Sequence, residues 1–218
     1  MLSGFLVFGA VTAVLLLPAA KSSSVSFVSE KNRDALTVRD GGVTALIDVA
    51  DGSYAAARNA LFGVEGNLDV LILTHCHPSH IAQCARLGGE QYLSALYLPY
   101  PENESERNVA ARLAETGLPL RFYSPGEAIP VGGAEISVER YFLARSSQPI
   151  VTVTVKGKET RTASVSGPLW EADPEAYRRL FSFDTVYFGS HGPSVKAPPD
   201  SYPEGAVFPA EDGGVSFR

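Results

Sequence analysis

The 218-residue chain contains only two cysteines, one methionine and one tryptophan, and its 18 Lys and Arg are outnumbered by 24 Asp and Glu, giving a formal charge of −6. Two cysteines exclude a disulfide-stapled scaffold, in which cross-links replace a core. Without a basic surplus, no surface can neutralise a phosphate backbone along its length, so any nucleic-acid contact is local. Histidine is scarce as well, with four residues in the chain. What remains is 45% hydrophobic and 19% charged, with 20 Gly and 15 Pro. That composition suits one compact domain with a sizeable core, many turns and short strands, of the α/β or α+β kind.

One segment departs from this average. From Leu2 to Ala20 no residue is charged, which approaches the roughly 20 apolar residues of a spanning helix. The expectation is a membrane helix leaving the bilayer at Lys21. A secretory signal is the competing reading, because Leu17-Pro18-Ala19-Ala20 ends the apolar region in small residues, although no Lys or Arg precedes it. The chain therefore divides into residues 1–24, a transmembrane helix or signal with its linker, and residues 25–218, a folded domain.

Within that domain, alternation predicts strands over Ser24 to Val28, Ala35 to Val38 and Val43 to Ile47, the last two joined by the turn Asp40-Gly41-Gly42 and ending at Asp48. Ser53 to Leu61 is Ala-rich and reads as a helix. Leu68 to Thr74 is almost unbroken apolar, the mark of a strand buried on both faces. A short helix over Ile81 to Leu87 closed by Gly88-Gly89, a strand over Ala95 to Leu98, a helix over Asn103 to Thr116 and a strand over Leu120 to Tyr123 follow. From Ser124 the pattern becomes a meander over Ile136 to Tyr141, Ile150 to Val155 and Thr160 to Val165. A helix over Asp173 to Phe181 and a strand over Thr185 to Phe188 complete it, before a Pro- and Gly-rich tail. Two mixed halves, each a sheet with outer helices, predict an α/β domain of four layers, α/β/β/α.

Thr74-His75-Cys76-His77-Pro78-Ser79-His80 carries three of the four histidines at the junction between a buried strand and a helix. His75 and His77 share one side of an extended loop and His80, opening the helix, can turn back toward them, a spacing able to gather three imidazoles around one Zn²⁺. Cys76 and Cys84 read as small buried hydrophobes rather than ligands. Trp170 and Tyr177 read as packing rather than a base-stacking platform, since no basic groove accompanies them.

His-x-His-x-x-His after an apolar strand and a Thr, with Ile47-Asp48 upstream, resembles the signature of the metallo-β-lactamase fold superfamily. The likeness extends to the C-terminal hydrolase-like domain of the ComEC family of DNA-uptake competence proteins through Asp34-Ala35, Ile47-Asp48, the histidine motif, Ser166-Gly167, Gly189-Ser190-His191-Gly192 and the closing Glu204-Gly205-Ala206-Val207 and Asp212-Gly213-Gly214-Val215. That resemblance implies a membrane-tethered domain on the extracytoplasmic side that hydrolyses one DNA strand during uptake. It also implies metal ligands His75, His77, His80 and His191.

Two departures reduce the expected site. The family's motif Asp is Ser79 here, a neutral hydroxyl and a poor Zn²⁺ ligand, and the family's bridging Asp is Pro168, which has no ligand atom. The expectation is a degenerate centre of weak or no activity holding one zinc ion, or none if the site is fully eroded. Asp48 is expected beside it as an acceptor for loop N–H groups, not as a ligand. Two other readings fit the same residues: a non-catalytic extracytoplasmic binding module, and a mononuclear zinc hydrolase of a small ester. Expected partners are the membrane, through Leu2 to Ala20, and single-stranded DNA or a channel protein of the uptake machinery. Any DNA contact is expected at Lys156, Lys158 and Arg161, the densest basic run outside the linker.

Overall fold

The computed structural model describes residues 23–30, 33–48, 68–144, 149–189 and 202–208. Leu2 to Ala20, the helix expected over Ser53 to Leu61, His191 with its neighbours and the segment from Asp212 lie outside these residues. Among the described residues no helix is long and apolar enough to cross a membrane.

The first sheet runs β1 (Ser24–Glu30), β2 (Arg33–Asp40), β3 (Val43–Ile47), β4 (Val70–Ile72), β5 (Ala95–Pro99) and β6 (Leu120–Tyr123), each strand beside the next. The pairs β1/β2 and β2/β3 are antiparallel, and those from β3 to β6 are parallel. Helices α1 (Ser79–Glu90) and α2 (Glu104–Ala114) make the crossovers from β4 to β5 and from β5 to β6. The second sheet orders β7 (Ile129–Val131), β8 (Ala134–Tyr141), β9 (Ile150–Lys156), β10 (Arg161–Val165), β11 (Thr185–Phe188) and β12 (Ala206–Val207) from one edge to the other. Helices α3 (Leu169–Ala172) and α4 (Pro174–Arg179) lie between β10 and β11, which pair in parallel.

Period-two alternation sends the side chains of each central strand into two different cores. Leu46, Leu71 and Leu73 pack with α1 and α2, whereas Ala45, Ile47, Val70 and Ile72 face the second sheet and meet Ile136, Val138, Val153 and Val155. On the far side Ala163, Val165 and Val186 pack with Leu169, Tyr177 and Leu180. Three cores between four layers give the α/β/β/α order expected from the sequence, and β4 is uniformly buried because both its faces are in use.

Two local departures have physical causes. Helix α1 begins at Ser79 and runs through Gly88 and Gly89, because Leu118 packs against Gly88 so closely that a Cβ there would collide with it. Strand β7, absent from the sequence reading, contains Pro130, which an edge strand tolerates because one side of it has no ladder to feed. Ala206–Val207 pairs in parallel with β11, while the segment from Asp212 that would complete a terminal hairpin is outside the described residues.

At the end of the sandwich away from the histidine loop, the two sheets are tied together. The Asp40 carboxylate accepts the Gly133 N–H, and Gly132, at φ +62°, leaves no room for a Cβ against the Asp40 carbonyl. The tip of the β9–β10 hairpin, with exposed Lys156, Lys158 and Arg161, is also at this end. Five residues separate Lys156 from Val151 near the histidines, about 16 Å of extended strand.

Candidate metal centre

The centre is assembled at the ends of two parallel neighbours, β3 and β4. Beyond Ile47 the backbone of Asp48 turns left-handed, at φ +55°, the only positive φ outside glycine among the described residues. Asp tolerates this region better than most side chains. The turn lets the Asp48 N–H donate to the Ile72 carbonyl at 2.9 Å and brings its carboxylate to the end of β4. Oδ1 there accepts the Thr74 N–H at 2.8 Å, and Oδ2 accepts the Thr74 hydroxyl at 2.5 Å. The acceptor role expected of Asp48 is therefore present. Leu73, just before, donates its N–H to the Tyr97 carbonyl and accepts the buried Tyr123 hydroxyl at 2.8 Å, so the strand end is held from both flanks. Burial, with the Asp48 charge adding to it, pushes the Tyr123 phenol well above its ordinary range and keeps it a donor.

The histidines then divide. His75 Nδ1 is 3.0 Å from the Thr74 hydroxyl oxygen, and its Nε2 is 3.2 Å from Nε2 of His80, which is buried in the first turn of α1. The two rings meet edge to face, with centroids 4.7 Å apart. His77 is exposed, with its ring centre 6.2 Å from that of His75 and 6.4 Å from that of His80. Its Nδ1 accepts the Ser79 N–H at 3.3 Å and lies 2.8 Å from the Ser79 hydroxyl. Ser79 thus tethers His77 at the place where the resembled motif has a ligand. An oxygen of Asp48 and nitrogens of His75 and His80 all lie within 4.8 Å of one another, so Asp48, expected only as an acceptor and not as a ligand, is within reach of the same ion as the two histidines.

These donors fit a divalent ion. Two nitrogens about 2 Å from a tetrahedral zinc are separated by about 3.3 Å, close to the observed 3.2 Å between His75 and His80. Without an ion, the same spacing is that of an N–H···N hydrogen bond. The cysteines are poor ligands by comparison. Burial, reinforced by the charge of Glu106, pushes the Cys76 thiol up to about 11, and burial with the charge of Asp48 pushes that of Cys84 to about 12. Both stay protonated at neutral pH, as expected of small buried hydrophobes.

A cavity of about 610 Å³ opens beside the histidines between the two sheets. Phe27, Leu36, Val151 and Val153 make its apolar walls, and Ser164 and Ser166 face it from β10 and the loop beyond. Ser166 accepts the Val151 N–H at 2.8 Å. Pro168, expected near the site, sits at the start of α3 and does not line the cavity.

Sequence reasoning missed the charged wall. Arg140 of β8, its side chain 6% exposed, reaches across to Glu102 and lies 3.8 Å from Glu106 in the first turn of α2. Glu106 Oε2 also accepts the Glu102 N–H at 2.7 Å, and Asn103 caps the helix by accepting the Glu106 N–H. The available signal was the paired glutamates around an Asn cap, but nothing local connects them to an arginine 38 residues away from Glu102. The Trp170 and Tyr177 rings meet edge to face, 5.5 Å apart, one from α3 and one from α4, which is the packing role expected.

No family model matches the sequence, and no curated protein does. Solved structures are similar to it. The metallo-β-lactamase fold protein YhfI from Bacillus subtilis matches at a TM-score of 0.55 and 13% identity over 76% of this chain and 70% of that one. A mutant of the β-hydroxylase CmlA matches at 0.54 and 17% over 76% of this chain, which corresponds to 34% of the length of that protein. A B3 metallo-β-lactamase with an active-site glutamic acid matches at 0.51 and 16% over 77% of this chain and 76% of the other. With the sheet order, the helix layers and the strand-end histidines already in place, these likenesses establish the architecture: the chain has the metallo-β-lactamase fold.

Proposed function

We propose that the chain is a hydrolase-type domain with a single divalent ion, acting on a small uncharged ester or thioester, and tethered through Leu2 to Ala20 with the folded domain on the extracytoplasmic face. The observation that carries this reading is the 3.2 Å separation of the His75 and His80 Nε2 atoms, with an Asp48 oxygen in reach, at the mouth of a cavity of small-molecule size. His75 and His80 would hold the ion, with Asp48 and His77 flanking them. His191 is the remaining candidate from the other half of the chain. An ion here supplies a Lewis acid for a carbonyl oxygen and acidifies water.

The chain's own residues do the rest. Phe27, Leu36, Val151 and Val153 exclude water from an apolar acyl group, and the hydroxyls of Ser164 and Ser166 face the same space. One ion rather than two follows from the side chains: Ser79 holds His77, and Pro168 offers no donor atom.

The competence-type reading, cleavage of one DNA strand during uptake beside a channel protein, rests on the order of motifs along the sequence. The charges favour the small substrate. Asp48, Glu102 and Glu106 in the cavity lining outnumber its single guanidinium, Arg140, and the densest basic run is at the opposite end of the sandwich. Zinc stoichiometry of the purified chain, with parallel hydrolysis assays on p-nitrophenyl esters, a thioester and single-stranded DNA, tests both readings. One zinc with slow ester turnover is expected. DNA cleavage without ester turnover favours the competence reading, and a chain that retains no zinc is a binding module.

A further inference from the structure

We infer that Thr74 is a positioning residue: its hydroxyl links the Asp48 carboxylate to Nδ1 of His75 and thereby sets which ring nitrogen of His75 carries the proton. The argument is one of donors and acceptors. An ionised carboxylate only accepts, so the 2.5 Å contact between Thr74 Oγ1 and Asp48 Oδ2 uses the hydroxyl proton of Thr74. The Thr74 oxygen then has only lone pairs to offer His75 Nδ1 at 3.0 Å, so Nδ1 carries the N–H. A neutral imidazole has one N–H, which leaves the lone pair of His75 on Nε2, the atom that faces His80 at 3.2 Å.

The backbone is arranged for the same end. Asp48 occupies the only left-handed non-glycine position among the described residues, and this turn aims both of its carboxylate oxygens at Thr74, one at the N–H and one at the hydroxyl. An ordinary strand-end turn needs only the first bond. The second is useful to a ligand ring, whose orientation and tautomer are commonly set by a partner behind it. Valine has the shape of threonine without the hydroxyl and removes the link, whereas serine keeps it.

The tautomer part stands whether or not an ion binds; the consequence for affinity rests on the single-ion reading above. The test is long-range ¹H–¹⁵N correlation of the imidazoles in the full, metal-free chain in detergent, with a His75→Gln spectrum to assign the ring. Only four histidines contribute signals. The parent is expected to show His75 with its proton on Nδ1, Thr74→Ser to keep that pattern, and Thr74→Val to lose it. A parent His75 protonated on Nε2 overturns the inference without any variant at Thr74, and so does an unchanged Thr74→Val spectrum.

Zinc competition against a chromophoric chelator is the second arm. Thr74→Val is expected to weaken zinc binding by about tenfold or more, with recovery in Thr74→Ser. Equal affinity of the valine variant and the parent overturns the positioning role. A parent that binds no zinc overturns the single-ion reading instead, and the tautomer spectra still decide the role of Thr74.

Discussion

The two halves of the sandwich have closely related sheets, each combining antiparallel and parallel pairs beneath a pair of helices among the described residues, yet they contribute very unequally to the site. The first half supplies Asp48, Thr74, His75, His77 and His80, all at or just beyond the ends of β3 and β4. Among the described residues, the second half supplies the hydroxyls of Ser164 and Ser166, the guanidinium of Arg140 and apolar wall. Similar sheets therefore do not imply similar chemistry: the fold provides strand ends, and the side chains placed there decide whether an ion is held.

The largest effect expected concerns the scaffold under the first half. Leu71 of β4 is fully buried beneath α1 and α2, and Leu71→Ala is expected to lower the unfolding free energy by about 3 kcal/mol, read by urea titration. A loss below about 1 kcal/mol would mean that this core relaxes around the cavity, and that the first half is not the rigid one.

Next comes the contrast at the site. His80→Ala is expected to weaken zinc retention about a hundredfold, whereas Ser166→Ala changes it little, because only the first removes a nitrogen from the 3.2 Å pair. The asymmetry can also be reversed by substitution. Ser166→Asp places a carboxylate in the cavity lining and is expected to raise zinc uptake more than Pro168→Asp, even when each is combined with Ser79→Asp. If Pro168→Asp proves the better of the two, the loop after β10 presents different residues to the cavity from those described.

A smaller effect involves pH. Folding raises the Cys84 thiol to about 12, above its unfolded value near 8.5, so the folded state retains a proton that the unfolded chain loses. The associated stability is complete below about pH 8.5 and declines as pH rises toward 12. Denaturant midpoints between pH 8 and 10.5 are expected to fall less steeply in Cys84→Ala than in the parent. Parallel curves would place the alkaline sensitivity elsewhere.

The smallest change is expected on the second half's outer tip. Replacing Lys156, Lys158 and Arg161 with Ala should reduce an already weak, salt-sensitive affinity for single-stranded DNA, measured by anisotropy across a salt titration, and leave zinc binding unaltered. Tight binding that ignores both salt and these substitutions would locate a nucleic-acid surface outside this hairpin.

Most strands were legible because their residues alternate and their turns are marked by glycine, as at Gly41 and Gly42, which both adopt positive φ. Strand β7 was not, since three residues around Pro130 give too little periodicity to register. The glycines in α1 were misleading because the side chain that makes Gly88 suitable, Leu118, comes from another segment. At the site, the three histidines stood out by their rarity and spacing. The partition among them, with His75 and His80 together and His77 held by Ser79, depends on ring orientation and was not readable from spacing. Nor was the link from Asp48 through Thr74, which joins residues 26 apart in sequence, or the Arg140 wall.

The contact between Asp40 and the Gly132-Gly133 turn has a mechanical consequence. It fastens the sheets at the end away from the histidines, about 16 Å along β3 from Asp48, through an approach that only glycine permits. The two sheets enclose a cavity at each end, the larger of about 610 Å³ beside the histidines and a smaller one of about 160 Å³ beside Asp40. The histidine end is joined through side chains, Arg140 to Glu102 and Glu106, whereas at the Asp40 end the partner is the backbone of the Gly132-Gly133 turn, a tie that substitutions in the turn itself can break only by adding a side chain.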